Sequence, residues 1–312
     1  MPIILPNLWD YKAQILNKDI NYPLKTITAP TTGLLQYIPA ISKGKTDWPW
    51  NEQTDPELYR KNKNWPKLTI VTPSYNQGQF IEQTIRSVLL QNYPNLEYII
   101  IDGGSTDNTR TIIEKYSPWI SYWQSEKDRG QGHAINVGFS IAGGNYYAWI
   151  NSDDYYLKDT FYKVINLFVK QNVSFVYGYA FNFDFYTKKF QLVKVLPVLD
   201  YFIRLPGLVQ PSCFWNVKIH QPIWEELHCS LDYELWLRML KGNSRKLLKE
   251  PLSVATIHAD AKTSNPLMDK HWGSDHALIC SAEAHGSVRN WSIMITLNRL
   301  YIIANRLLRK RK

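Results

Sequence analysis

From Lys67 to about residue 183 the chain alternates short β-branched apolar runs with stretches of helical period. "LTIVT" (68–72), "LEYIII" (96–101), "SYWQSE" (121–126), "YYAWI" (146–150) and "SFVYGYAFNF" (174–183) read as strands. Between them, "FIEQTIRSVLLQ" (80–91), a segment around 108–116, "GHAINVGFSIA" (132–142) and "TFYKVINLFVKQ" (160–171) read as helices. Such alternation builds βαβ units, so the expected fold class is α/β: a mostly parallel sheet flanked by helices. In such sheets ligands bind beyond the carboxyl ends of the strands. The polar clusters fall at those ends: "PSYNQG", "DGGSTDN", "SEKDRGQG" and "NSDD".

The flanks are of different character. Residues 1–66 are rich in proline and aromatics and read as an irregular N-terminal extension; 67–265 form the α/β domain; 266–312 read as a C-terminal helical region with a basic amphipathic tail. The 312-residue chain carries a net charge of +9, which suggests an anionic partner without choosing one. No acid follows Glu283, while Arg289, Arg299, Arg306, Arg309, Lys310, Arg311 and Lys312 follow it. On a helix, Asn298, Arg299, Asn305, Arg306 and Arg309 share one arc and apolar side chains fill most of the rest. That pattern suits an interfacial helix on anionic lipid, through residues 289–312, or a helix packed on the domain. Cys213, Cys229 and Cys280 have neither disulfide-framework nor metal spacing. The N-terminus lacks a signal-peptide pattern, and no uninterrupted apolar run is long enough to span a bilayer. The expected location is cytoplasmic, peripheral at the inner face of the membrane.

The run "TIVTPSYNQGQFIEQTIRSVLLQNYPNLEYIIIDGGSTDNT…SEKDRGQGHAINVGFSIAGGNYYAWINSDD" resembles the nucleotide-binding half of family-2 glycosyltransferases of the glycosyltransferase-A fold. The resemblance implies a sugar transferase whose donor is a nucleotide-diphospho-sugar, with UDP expected. Thr72, Pro73, Ser74 and Tyr75 then sit where the family's first loop holds base and ribose, and Asp102 accepts the uracil N3–H. Asp107 reads as a helix cap. The fork of Arg129 matches phosphate oxygens.

Adjacent carboxylates at Asp153 and Asp154 repel each other unless a cation joins them. A hard ion such as Mn²⁺ or Mg²⁺ takes one or two carboxylates, water and substrate phosphates. The family pattern has an acid where this chain has Asn151; Asn151 and Ser152 remain candidates for the nucleotide. The resemblance adds His258 as a further metal or diphosphate ligand. Lys262, nearby, reads as an exposed loop lysine or as added positive charge at that site. It also makes Asp232 the base that deprotonates the acceptor, with inversion at the anomeric carbon, and places Gln210, Trp215 and Glu234 on the acceptor side. The expected acceptor is a saccharide or a lipid-linked one, in cell-surface polysaccharide or glycolipid synthesis.

A nucleotidyltransferase would want a basic Gly-rich loop after the first strand, which "PSYNQG" lacks. Nucleic acid is excluded as a partner by Asp102, Asp107, Asp128, Asp153 and Asp154 at one rim. A dinucleotide oxidoreductase lacks its glycine fingerprint. A catalytically degenerate transferase stays open because of Asn151 and Leu231.

Overall fold

The computed structural model describes residues 3–41, 44–60, 62, 64–198, 207–282 and, near the C-terminus, 293, 296, 297, 299–305 and 307. The strands are β1 (Leu68–Ser74), β2 (Leu96–Asp102), β3 (Tyr122–Ser125), β4 (Tyr146–Trp149), β5 (Tyr155–Tyr156), β6 (Phe175–Asp184), β7 (Lys189–Val193), β8 (Cys213–Asn216) and β9 (Arg245–Ile257). The α-helices are α1 (Leu8–Leu16), α2 (Glu57–Arg60), α3 (Ile81–Leu89), α4 (Thr109–Tyr116), α5 (Gln131–Ser140), α6 (Thr160–Gln171), α7 (Leu231–Leu240) and α8 (Asp269–Ser281).

The nine strands form one sheet in the order β3-β2-β1-β4-β8-β6-β9-β5, with β7 paired to the C-terminal stretch of β6, Ala180–Asp184, beyond the residues that β8 pairs. β3, β2, β1 and β4 are parallel neighbours. Every residue of β1 and β2 is buried, as befits strands covered on both faces. The other half of the sheet is mixed. β8 runs antiparallel to β4 and β6, whereas β9 runs parallel to β6. Helix α5 lies so close to β1 that a Cβ on Gly138 would meet a Val71 methyl at 2.5 Å. Only glycine admits that approach.

The N-terminal segment is more ordered than an irregular extension. Asn7 accepts the Trp9 N–H at 3.1 Å and caps α1. Ile27 exchanges backbone hydrogen bonds with Leu96 at 2.7 and 3.3 Å. The buried guanidinium of Arg86, on α3, donates to the carbonyls of Pro39, Pro49 and Trp50 at 2.9, 3.0 and 2.8 Å. A buried cation must be bonded in this way, so Arg86 staples the segment to the domain. Tyr11, Ile15, Leu24, Ile27, Leu34, Ile38, Tyr59 and Trp65 join the same hydrophobic core as the sheet, as does Ile279 of α8.

In the tail, residues 293, 296, 297, 299–305 and 307 are helical, and Tyr301 donates to the Pro197 carbonyl at 3.0 Å. Ile293, Leu297, Leu300, Ile303 and Leu307 are exposed along one face. Arg289, Asn298, Arg306, Arg309, Lys310, Arg311 and Lys312 lie outside the described residues. Among the described residues no helix is long and apolar enough to cross a membrane.

Candidate active site

The candidate residues collect at the carboxyl ends of the parallel strands. β2 ends on Asp102, which is fully buried. Its carboxylate accepts the Ser105 N–H at 2.9 Å, the Ser105 hydroxyl at 2.5 Å and the Ser125 hydroxyl at 2.7 Å. A carboxylate has about four lone-pair sites, so room remains for one further donor. The chain turns away through Gly104 at φ +81°, a left-handed conformation natural to glycine. On β1, Thr72 shares a hydrogen bond with the Tyr98 hydroxyl at 3.2 Å. Pro73 and Ser74 are buried, and the Ser74 hydroxyl has no partner. Tyr75 is 60% exposed, with its ring available to a ligand. Asp107 accepts the N–H groups of Thr109 and Gly78, both at 2.9 Å, and so ties the turn before α4 to the loop after β1; the N-cap position itself is Asn108.

The turn after β4 is a second centre. Asn151 accepts from the Gln131 side chain at 2.7 Å. Ser152 is buried, and the Thr84 hydroxyl reaches the carbonyls of Ser152 and Asp154 at 2.9 and 2.6 Å. Asp154 is buried and accepts the Thr256 N–H of β9 at 2.9 Å. Burial, and then the neighbouring charge of Asp153, push its carboxyl well above the usual range. Asp153 is partly exposed, and its Oδ2 lies 3.0 Å from His258 Nε2. His258 is itself packed under Phe80, with ring centroids 4.6 Å apart.

Lys262 connects this centre to the next. It is half-buried rather than the exposed loop lysine expected, because its side chain reaches Gln131 and the loop before α7. Its ammonium donates to Gln131 Oε1 at 2.7 Å and to the His228 carbonyl at 2.5 Å. Burial lowers its pKa, while Cys229, Asp275, Asp232 and Asp153 act to raise it. Two of its three donors are thus taken by neutral oxygens. Asp232, in the first turn of α7, accepts the Tyr233 N–H at 2.8 Å. Burial raises its carboxyl above the ordinary aspartate range, against the Tyr233 N–H and the charge of Lys262. The loop before Asp232 is held by α8. The fully buried Asp275 accepts the backbone N–H groups of His228, Cys229 and Ser230 at 3.1, 2.7 and 2.8 Å.

Other candidates are drawn elsewhere. Arg129 donates to Glu225 at 2.9 Å and to the Tyr11 hydroxyl of α1 at 2.7 Å. Burial works to raise the Glu225 carboxyl, but hydrogen bonds from Asn136, Tyr11 and Arg129 outweigh it and hold it low. Gln210 donates to the Trp149 carbonyl at 2.9 Å and leaves its Oε1 buried without a partner. Trp215 is wholly buried among Trp149, Trp236 and His220. Glu234 is also wholly buried, forked onto Arg238 at 2.6 and 2.7 Å. The structure therefore gathers Asn151, Asp153, His258 and Asp232 around Gln131 and Lys262. It sends Trp215 and Glu234 into the core.

Sequence reasoning missed Gln131, Glu225, Tyr11 and Asp275, and it set Lys262 aside as a loop lysine. Only Lys262 carried a signal, its place four residues after His258.

Among the described residues no group of three or more His, Cys, Asp or Glu side chains gathers to hold a metal. Two donors are nevertheless in place. A separation of 3.0 Å between Asp153 Oδ2 and His258 Nε2 matches neighbouring corners around an ion with bonds of about 2.1 Å. The residues fit a divalent ion that draws its other ligands from a diphosphate and water, with the imidazole favouring a first-row metal such as Mn²⁺.

Strand order, helical layers and site placement define a glycosyltransferase-A fold. Solved structures share it: S. aureus TarS 1–349 in complex with UDP-GlcNAc has a TM-score of 0.56 at 19% identity, over 70% of this chain and 67% of that one. The mannosyltransferase PcManGT from Pyrobaculum calidifontis, in complex with GDP-Man and Mn²⁺, has a TM-score of 0.52 at 16% identity, over 75% of this chain and 67% of that one. The family model for glycosyl transferase family 2 matches residues 69–212. The Escherichia coli UDP-Glc:alpha-D-GlcNAc-diphosphoundecaprenol beta-1,3-glucosyltransferase WfgD is 30% identical over 182 residues, covering 57% of this chain and 71% of that protein. The chain belongs to glycosyltransferase family 2 and is a transferase.

Proposed function

We propose that this enzyme moves a sugar from a UDP-sugar to a lipid-linked or saccharide acceptor in cell-surface polysaccharide or glycolipid synthesis, with inversion at the anomeric carbon. The carrying observation is the pairing Asp153–His258 and the chain Asn151–Gln131–Lys262, with Asp153 and Asp232 both in the electrostatic field of Lys262. UDP is favoured by the TarS–UDP-GlcNAc complex and by the donor in WfgD's name. A diphosphoundecaprenol-linked acceptor in that same name favours a lipid-linked one here.

Asp102 has one acceptor site left for the uracil N3–H, and Thr72, Pro73, Ser74 and Tyr75 border the base and ribose. Lys262 offers its remaining N–H to the diphosphate. Arg129 joins it by releasing Glu225. Asp232 takes the proton from the acceptor hydroxyl; its raised pKa makes it a stronger base than an exposed aspartate. Asp153 and His258 would hold Mn²⁺ or Mg²⁺, which, when bound, neutralises charge on the departing nucleoside diphosphate. Gln210, with its idle Oε1, is the acceptor-side group best placed to meet a hydroxyl.

The exposed apolar face of residues 293–307, with the basic residues of 289–312, supports a peripheral contact with anionic membrane on the cytoplasmic side.

The test is UDP binding and UDP-sugar turnover with and without Mn²⁺, in wild type, Asp153→Ala and Lys262→Gln. Mn²⁺ tightens UDP binding in wild type but not in Asp153→Ala, and Lys262→Gln weakens UDP binding even without metal. Equal UDP affinity in all three proteins refutes the assignment.

A further inference from the structure

The hairpin formed by β6 and β7 carries an aromatic face that the sheet does not cover. Phe181 stands opposite Leu192 and Phe183 opposite Phe190 across the ladder, so the four side chains share one face. The Phe183 and Phe190 rings lie 4.7 Å apart. Phe190 remains 56% exposed and Leu192 40% exposed. Among the described residues, no strand pairs with β7 on its outer edge.

This face leads to the candidate active site. At its inner end Phe185 packs on Phe80, with centroids 5.3 Å apart, and Phe80 covers His258. The turn is tied to the same place, since the Ala259 N–H donates to the Tyr186 hydroxyl at 3.2 Å. A cation sits at this inner end. The Lys188 ammonium lies 3.8 Å from the Phe185 ring centroid and 5.8 Å from that of Phe183. Its ring contacts are weak enough in water to yield to an anion. The one acid of the hairpin, Asp184, is engaged by the N–H groups of Tyr186 and Thr187 at 3.0 and 2.8 Å.

The order along the surface is therefore reaction centre, fixed positive charge, then an open apolar strip. A lipid-linked acceptor has the same order: sugar, phosphate, hydrocarbon chain. We infer that the β6–β7 hairpin is the acceptor's lipid subsite, with Lys188 meeting the phosphate and Phe183, Phe190 and Leu192 carrying the first part of the hydrocarbon chain. This deepens the proposed function and rests on its lipid-linked acceptor.

The probe is farnesyl phosphate, below its aggregation concentration, titrated calorimetrically into the full-length chain. Inorganic phosphate and farnesol serve as half-probes. Wild type binds farnesyl phosphate and binds each half-probe far more weakly. Phe190→Ser, Leu192→Ser and Lys188→Gln each weaken binding about tenfold, the change expected when a partly buried apolar or charged contact is lost. All three side chains are exposed, so melting temperatures stay at the wild-type value, and UDP binding is unchanged.

Equal affinity across the variants overturns the inference. So does unaltered farnesyl phosphate binding where the same variants lose binding to phosphatidylcholine–phosphatidylglycerol vesicles, since the hairpin then docks on the bilayer surface. A dimer in light scattering that Phe190→Ser dissolves also overturns it, the strip then being covered by a second copy. Failure of UDP to bind wild type would instead strike the donor reading and leave the lipid measurement to stand on its own.

Discussion

Replacing Glu234 with Gln separates two roles for a residue placed by resemblance on the acceptor side. Glu234 is fully buried, and its fork onto Arg238 has both contacts under 2.8 Å. Arg238 is nearly as buried and also donates to Gln221 and to the Pro222 carbonyl, at 2.7 and 2.8 Å. The Gln variant keeps the shape and one acceptor but leaves a guanidinium buried without its counter-charge. Breaking a buried pair from one side costs about 3 kcal/mol or somewhat more. For a chain of this size that is a fall of roughly 5 °C in Tm. Thermal unfolding followed by circular dichroism measures it. Replacing both residues with Met should cost less than Glu234→Met alone, because the stranded charge is gone. A Glu234→Gln protein that melts within about 2 °C of wild type, yet shows a raised KM for acceptor, would refute the reasoning and return Glu234 to the acceptor site.

Three further outcomes are expected. Asp232→Asn should lower kcat by a factor of about 10² to 10⁴ with UDP affinity unchanged, and the acid limb of the wild-type kcat/KM profile should lie above the ordinary aspartate range; a limb within that range removes Asp232 as the base. Glu225 has a depressed folded pKa, so its stabilisation is present above the unfolded glutamate value and lost as pH falls through the folded one. Glu225→Gln should therefore melt below wild type at neutral pH, with the gap closing in acid; a gap that widens in acid contradicts the sign. Deleting residues 289–312 should abolish sedimentation with anionic liposomes while UDP binding persists, and unchanged sedimentation excludes the tail as the membrane contact.

The parallel half of the fold was legible because its strands are short, apolar and punctuated by Pro73, Gly103–Gly104 and Asn151–Ser152. The second half was legible only in part, through the apolar run of β6. β9, "RKLLKEPLSVATI", hides its strand character behind charges and Pro251, and it tolerates them because its register on β6 shifts between Gly178 and Ala180. α1 was missed since a single capped helix of about two and a half turns in proline-rich surroundings shows little period. At the site, Asp102, Asp153 and Asp232 could be placed from motif order, but what each one bonds depends on segments far away in sequence. Trp215 illustrates the limit: an aromatic in a strand suits a sugar face or a core equally, and only the positions of Trp149 and Trp236 decide its surroundings. Lys262 is the converse, a loop lysine given meaning by Gln131 and the His228 carbonyl.

The grip of Asp275 on the amides ahead of α7 bears on how the protein is born. Translation delivers a chain from its N-terminus, and early portions can fold as they emerge. Ser230 leaves the ribosome 45 residues before the carboxylate that fixes its N–H. The parallel half of a nascent molecule can thus be shaped while the loop ahead of α7 still lacks its anchor, which arrives only with α8.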